Sequence, residues 1–403
     1  MAQLSHTLDE VFRRDRGRVV AQLVRFLGSI DAAEEAFQEA VLSALATWPE
    51  RGVPDSPGAW LMTAAKNHAL DARRHRRVAD AKAPVFLWAE NPMSNPETFE
   101  SVGDDQLRLI FTCCHPALPP ESQVALTLKL IAGFSTEEIA RAFVSPETTI
   151  AQRIVRAKRT IDDKQLPYEV PGRAELPERV ASVLSVVYLV FNEGHTSRAG
   201  ALMRLDLQRE ALRLARLLCD LLPDEPQVFA LLALIAFGCA RAATRTDSRG
   251  ELVLLSEQDR KRWDRSLIKD GLVALERARR IGPRASFVLQ AEIAACHAIA
   301  RAWDETDWAA ILDAYDALYA LDPSPVVALN RAVALCMHEG PAAALAALAE
   351  LEEPLSRYHH FYATRADFRR RLGLDATDDY QRALALAEND GERRFLERKL
   401  AER

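Results

Sequence analysis

"STEEIARAFVSPETTIAQRIVRAKR", residues 135–159, reads as two short helices joined by a tight turn. Ser135 with Glu138 three residues later has the pattern of a capping box, which supplies partners to free amides at a helix start. Ile139, Ala140 and Phe143 give that helix an apolar side. Ser145 is placed to cap the next helix, with Pro146 at its first position, where a missing N–H costs nothing. Along this second helix Ile150, Ile154, Ala157 and Ile161 recur at helical spacing, while Thr148, Gln152, Arg156 and Arg159 share the opposite side. A reader of the DNA major groove needs this division: an apolar back that fixes the helix, and a front that reaches base edges and phosphates. An amphipathic surface helix with a solvated basic end has the same pattern, so the rest of the chain must decide.

Upstream, "PGAWLMTAAKNHALDARRHRR" (Pro57 to Arg77) sets Leu61, Ala65, Ala69 and Ala72 on one helical face and ends in Arg73, Arg74, Arg76 and Arg77. Before it, "DAAEEAFQEAVLSALATW" (Asp31 to Trp48) opens with Asp31 and Glu34, which read as a further capping box. It places Glu34, Glu35 and Glu39 beside Phe37, Val41 and Leu42. Each segment alone is an ordinary amphipathic helix. Their order is more specific: an acidic helix, a loop "PERGVPDSPG", a basic helix, a linker, then the helix-turn-helix.

The 403 residues are too many for one ordinary domain, and two or three compact units are expected. Hydrophobic residues make up 49%, Ala and Leu dominate, and Gly (16) and Pro (20) are sparse, which favours an all-α chain. A formal charge of −6 excludes a generally basic nucleic-acid binder, so any DNA contact must come from local clusters. Six scattered cysteines without a CxxC pair read as buried thiols in a reducing compartment. The amino terminus lacks the apolar core of a signal peptide, and "VFALLALIAFGCA" (Val228 to Ala240) is read as a core helix too short to span a bilayer. A cytoplasmic, soluble protein with no membrane contact is expected.

"AEEAFQEAV", "WLMTAAKNHALDARR" and "STEEIARAF…TTIAQRIVRAKR", in this order, resemble the sigma-70 family and, within it, the extracytoplasmic-function (ECF) sigma factors of bacterial RNA polymerase. The resemblance implies region two over residues 1–78, a linker over 79–103 and a region-four helix-turn-helix over 104–165. It implies core RNA polymerase (β′ and β subunits) and promoter DNA as partners. Glu34, Glu35, Gln38 and Glu39 match the helix that docks on the β′ coiled coil. Lys66, Asn67, Asp71, Arg73 and Arg74 match the helix that engages the minus-ten element. The loop Pro49 to Gly58 matches the one that captures a flipped base. Thr148, Thr149, Gln152, Arg153 and Arg156 match the minus-thirty-five recognition helix. Ala151 and Gln152 stand where the family usually has a Lys/Arg-Ser pair, so the preferred hexamer cannot be copied from relatives.

A minimal ECF factor would stop near Leu166, yet helical pattern runs on almost to the end. Arg331-Ala332 recurs as Arg365-Ala366, 34 residues on, which is the tetratricopeptide (TPR) period. "VFNEGHTSRAG", "SEQDRKRWD", "TDWAAILDAYD" and "SPVVALNRAVAL" resemble the ECF subgroup with a C-terminal TPR-like extension. That resemblance implies a large helical domain over 166–403 that regulates the factor, with contact between extension and sigma modules as a possible route.

No metal, cofactor or catalytic site is expected. Cys113, Cys114 and His115 lack tetrahedral spacing and a second ligand pair. Glu193 with His195, and His359 with His360, are read as solvent-facing or satisfied polar groups. "SEQDRKRWD" (Ser256 to Asp264) is read as a solvated charged helix start with Trp263 turned inward. No GxGxxG, P-loop, HExxH or GxSxG is present. The alternative left open is a free-standing transcriptional activator, a helix-turn-helix joined to a helical-repeat sensor.

Overall fold

The computed structural model describes residues 2–79, 99–143, 145–195, 204–247, 253–387 and 390–401, with side chains described outside 2–11, 13–14, 71–79, 99–104 and 390. Among the described residues the chain is α-helical with short 3₁₀ turns and no β-strand. It divides into two compact units, residues 1–189 and 190–403.

In the first unit, α1 (Ala2–Leu27), α2 (Ile30–Arg51) and α3 (Pro57–Ala79) pack on one another. Gly28, at φ 67°, turns the chain between α1 and α2, a conformation glycine adopts without a Cβ penalty. Ser29 then caps α2, its Oγ accepting from the Ala32 N–H at 3.3 Å. The cap is therefore Ser29 rather than Asp31, which lies inside the first turn. A buried stripe of Ala33, Phe37, Ala40, Ala44 and Trp48 runs along α2. The Trp48 ring centroid lies 5.6 Å from that of Phe12 and 5.2 Å from that of Trp60, so each of the three helices supplies one aromatic group.

Four further helices follow: α4 (Phe99–Cys113), α5 (Pro120–Leu130), α6 (Thr136–Ala142) and α7 (Glu147–Asp163). The expected linker falls mostly on residues 80–98, outside the described residues, and α4 already begins at Phe99. The Ser135 capping box forms: Ser135 Oγ accepts from the Glu138 N–H at 3.0 Å, and Glu138 Oε2 accepts from the Ser135 N–H at 2.7 Å. Ser145 does not cap α7. Its hydroxyl donates to the Phe143 carbonyl at 3.2 Å, and Pro146 takes the cap position without a side-chain bond. Ile150, Ile154, Ala157 and Ile161 are buried as their spacing predicts.

The first three helices and the next four share one unit because α1 also packs against α4 and α5. Gly17 makes that approach possible: a Cβ there would stand 2.9 Å from the Ile131 carbonyl oxygen. Residues 166–189, assigned by sequence to the extension, belong to this unit as well. The Tyr168 hydroxyl lies 2.7 Å from the Ala21 carbonyl and 3.2 Å from that of Asp105, within reach of both α1 and α4. Arg179 donates to the Phe111 carbonyl at 2.7 Å.

Helix α8 (Leu176–His195) contains the division between the units. The second unit continues through α9 (Leu205–Leu221), α10 (Pro226–Ala240), α11 (Arg265–Ile281), α12 (Ser286–Ile299), α13 (Trp308–Leu321) and α14 (Pro325–Glu339). It ends with α15 (Pro341–Ala347), α16 (His359–Arg371), α17 (Thr377–Leu386) and α18 (Asp390–Ala401). From α9 onward each helix packs on the next in the chain. By length and composition the stretch Pro226–Thr244 is apolar enough to cross a membrane, with a mean hydropathy of 1.7 over its 18-residue window. Here α10 is instead enclosed by α9, α11 and α12, which makes it the core helix expected from its composition.

Candidate functional site

Along α2 the side chains turned away from the buried stripe are Glu35, Gln38 and Glu39, all exposed, together with Leu42 at 59% and Leu45 at 45% exposure. This face is acidic with two uncovered leucines, a composition suited to an interface that buries apolar anchors within a charged rim. Composition alone does not set these two leucines apart from core residues such as Phe37. Their offset from the stripe Ala33, Phe37, Ala40, Ala44 is the signal that separates them.

Glu34 is not on that face. It is buried, only 6% exposed, between Arg16 of α1 and Lys158 of α7. Arg16 donates to Glu34 Oε1 at 2.7 Å and to the Lys129 carbonyl at 2.9 Å. Lys158 donates to Glu34 Oε2 at 2.5 Å and to Asp31 Oδ1 at 2.6 Å. A buried carboxylate held by two cations from separate helices ties α2 to the end of α7. Burial lowers the affinity of Lys158 for its proton, but the Glu34 charge and hydrogen bonds to Asp31 and Glu34 outweigh it and raise the pKa. Burial lowers the Arg16 pKa against the opposing pull of Glu34. Beside this junction a cleft of about 440 Å³ runs between Gln38, Val41 and Leu42 of α2 and Phe134, Ser135 and Glu138.

On α3, Asn67 is exposed and Lys66 partly so, while His68 Nε2 lies 3.0 Å from Ser43 Oγ and fastens α3 to α2. The side chains of Asp71, Arg73 and Arg74 lie outside the described residues. On α7, Thr148, Gln152, Arg156 and Arg159 are exposed and Thr149 and Arg153 are half-buried. The face opposite the buried stripe is therefore free to meet a groove. Glu147 and the free N–H groups stand at one end of this helix, and Lys158 of its last turns is already paired.

The metal-like sequence clusters resolve individually. Cys113 and Cys114 are buried thiols, burial raising the first well above its usual range and the second to about 12. His115 Nδ1 accepts from the Ala117 N–H at 3.1 Å, closing a turn. His359 Nε2 lies 3.2 Å from Glu392 Oε2 and His360 Nε2 4.0 Å from Oε1, so three potential ligand atoms lie within 4.8 Å of one another. The close approach of His359 holds the Glu392 carboxyl below its ordinary range.

Residues 11–78 match Sigma-70 region 2, residues 108–161 match Sigma-70, region 4, and residues 179–279 match a family of unknown function (DUF6596). The chain is 40% identical over 393 residues to the uncharacterized protein R00370 of Rhizobium meliloti (strain 1021), covering 96% of this chain and 93% of that protein. It is 29% identical over 166 residues to the ECF RNA polymerase sigma-E factor of Escherichia coli (strain K12), covering 38% of this chain and 84% of that protein. With the sigma-E factor of Salmonella typhimurium (strain LT2) it shares 33% over 111 residues, 26% of this chain and 56% of the other. The two regions stand in the expected order, on the helices whose exposed faces have just been described. Carrying both sigma-70 regions, the chain thus belongs to the sigma-70 family of transcription initiation factors.

Proposed function

We propose that this protein is an ECF-type sigma factor whose docking helix α2 meets core polymerase through Glu35, Gln38, Glu39, Leu42 and Leu45. In this reading α3 engages the minus-ten element with Lys66, Asn67, Asp71, Arg73 and Arg74. Helix α7 reads the minus-thirty-five element with Thr148, Thr149, Gln152, Arg153 and Arg156. The protein acts beside the polymerase in the cytoplasm and leaves nucleotidyl transfer to it. The observation that carries the reading is the pairing of two open faces, acidic-apolar on α2 and polar-basic on α7, each backed by a buried stripe of its own helix.

The α2–α7 tie through Glu34 gives this factor a closed form. Promoter elements are read on separate stretches of duplex, so the modules must part when both are engaged, and the Lys158 pairs with Asp31 and Glu34 oppose that step. We read the second unit as a TPR-like extension that shifts this balance. Its support is the helix-by-helix order from α9 onward and the recurrence at Arg331 and Arg365. Each of these arginines is paired with an aspartate of a neighbouring helix, Asp316 and Asp379 respectively.

Co-purification of the full chain with core polymerase tests the reading. The wild-type chain is expected to bind, and charge reversal at Glu35 and Glu39 to weaken binding. Binding indifferent to those charges would sink the assignment of α2.

A further inference from the structure

At the carboxyl end of α10 the second unit gathers positive side chains, and Glu305 is the carboxylate that acts on one of them, Arg260. Arg241 closes α10, Arg245 follows the 3₁₀ turn Ala242–Thr244, and Arg260 stands in the turn Arg260–Arg262. His195 ends α8 and His297 lies near the end of α12. Arg241 Nη2 lies 3.2 Å from His195 Nε2. Among the described residues no carboxylate forms an ion pair with Arg241, Arg245 or Arg260, whereas Arg279, Arg284, Arg331 and Arg365 of the same unit each have one.

The three arginines are not equivalent. Arg260, which the sequence placed in a solvated segment, is buried and spends its donors on the carbonyls of His297 and Ala300, at 2.7 and 3.0 Å. It is a structural strut. Arg241 and Arg245 are half-buried and have no such carbonyl partners. Arg245 Nη1, His195 Nδ1 and His297 Nδ1 are buried polar atoms without any hydrogen-bond partner. Unpartnered buried donors beside uncompensated positive charge cost free energy unless an acceptor arrives.

We propose that Arg241 and Arg245, flanked by His195 and His297, form a binding site for a small phosphate-bearing molecule. Guanidinium forks match phosphate oxygens two at a time, and a phosphate offers enough acceptors for both arginines and a ring N–H together. Burial and the neighbouring guanidiniums push His195 down to about 2 and His297 to about 4, so both rings are neutral donors or acceptors when the site is empty. Burial, and then repulsion from Arg260 on Arg241 and from Arg241 on Arg245, lower Arg241 to about 10 and Arg245 to about 9, still charged at neutral pH. His195, Arg241 and Arg245 all lie within the 179–279 stretch that matches the family of unknown function.

Calorimetric titration and thermal unfolding of the full chain test this, with inorganic phosphate and pyrophosphate as probes and with chloride and malonate as controls at matched ionic strength. Phosphate probes at about a hundredfold their dissociation constant should raise the unfolding midpoint by roughly 5 °C. Arg245→Gln and Arg241→Gln should each weaken phosphate binding at least tenfold. Arg245→Gln without phosphate should melt no lower than wild type, because an uncompensated charge has been removed. Should Arg241→Gln fail to fold, the Arg245→Gln titration decides. Stabilisation equal in chloride, stabilisation equal in malonate, or unchanged phosphate binding by folded Arg245→Gln would each overturn the proposal.

Discussion

Lys158, in the last turns of α7, donates to Glu34 of α2 across 124 residues of sequence. With Arg16 on its other oxygen, Glu34 adds a charged tie between the region-two and region-four helices to the packing of α1 on α4 and α5. Replacing the cation by an anion converts this attraction into repulsion among Glu34, Asp31 and the new carboxylate. Lys158→Glu should therefore part the modules and tighten binding to core polymerase by about tenfold, equivalent to about 1.4 kcal/mol. Fluorescence anisotropy with labelled factor reads this directly, and an unchanged affinity would show that the tie does not restrain docking.

The two kinds of glutamate on α2 should separate by assay. Glu34→Gln leaves Arg16 and Lys158 facing a neutral group in a buried junction, at a cost of about 3 kcal/mol, read as a lowered denaturation midpoint. Glu35→Lys and Glu39→Lys, on the open face, should change stability by less than about 0.5 kcal/mol yet weaken polymerase binding. If Glu34→Gln were as stable as wild type, the junction would carry little of the association between these helices.

The stripe on α7 and the Ser135 capping box were legible in sequence because both depend on residues within one or two helical turns. Cap identity was less so: Ser145 and Asp31 have the right chemistry, but Pro146 and Ser29 hold the cap positions. Neither the burial of Glu34 nor that of Arg260 is visible locally. Each depends on partners far along the chain, Lys158 for the first and the His297 and Ala300 carbonyls for the second. The open leucines of α2 could have been separated from its core stripe by helical phase alone.

On the recognition helix, Arg156 is exposed and has a clear approach to a groove. Arg156→Ala should weaken minus-thirty-five-dependent promoter binding by the polymerase complex by about 1–3 kcal/mol while sparing polymerase association. Electrophoretic mobility shifts with intact and scrambled minus-thirty-five elements separate the two effects. An equal loss on both templates would assign Arg156 to phosphate contact rather than base reading.

The histidine at the end of α8 predicts an acid sensitivity. Its folded pKa is lowered to about 2, chiefly by burial and then by Arg245 and Arg241, while an unfolded histidine titrates near 6.5. The unfolded chain therefore binds the proton first, and stability falls as pH drops below about 6.5 towards the folded value. Between pH 7 and 5 the loss from His195 should be on the order of 2 kcal/mol. Urea unfolding of the full chain at those two pH values measures it, and His195→Gln should flatten the dependence. An identical slope in the variant would place the titration elsewhere.

Run-off transcription with core polymerase and a pool of promoter fragments tests the central claim most directly. Initiation from a defined subset of promoters by the full chain, diminished by Glu35→Lys with Glu39→Lys and absent when the factor is left out, is the predicted result. Absence of initiation, together with a specific footprint on duplex DNA in the absence of polymerase, would contradict it.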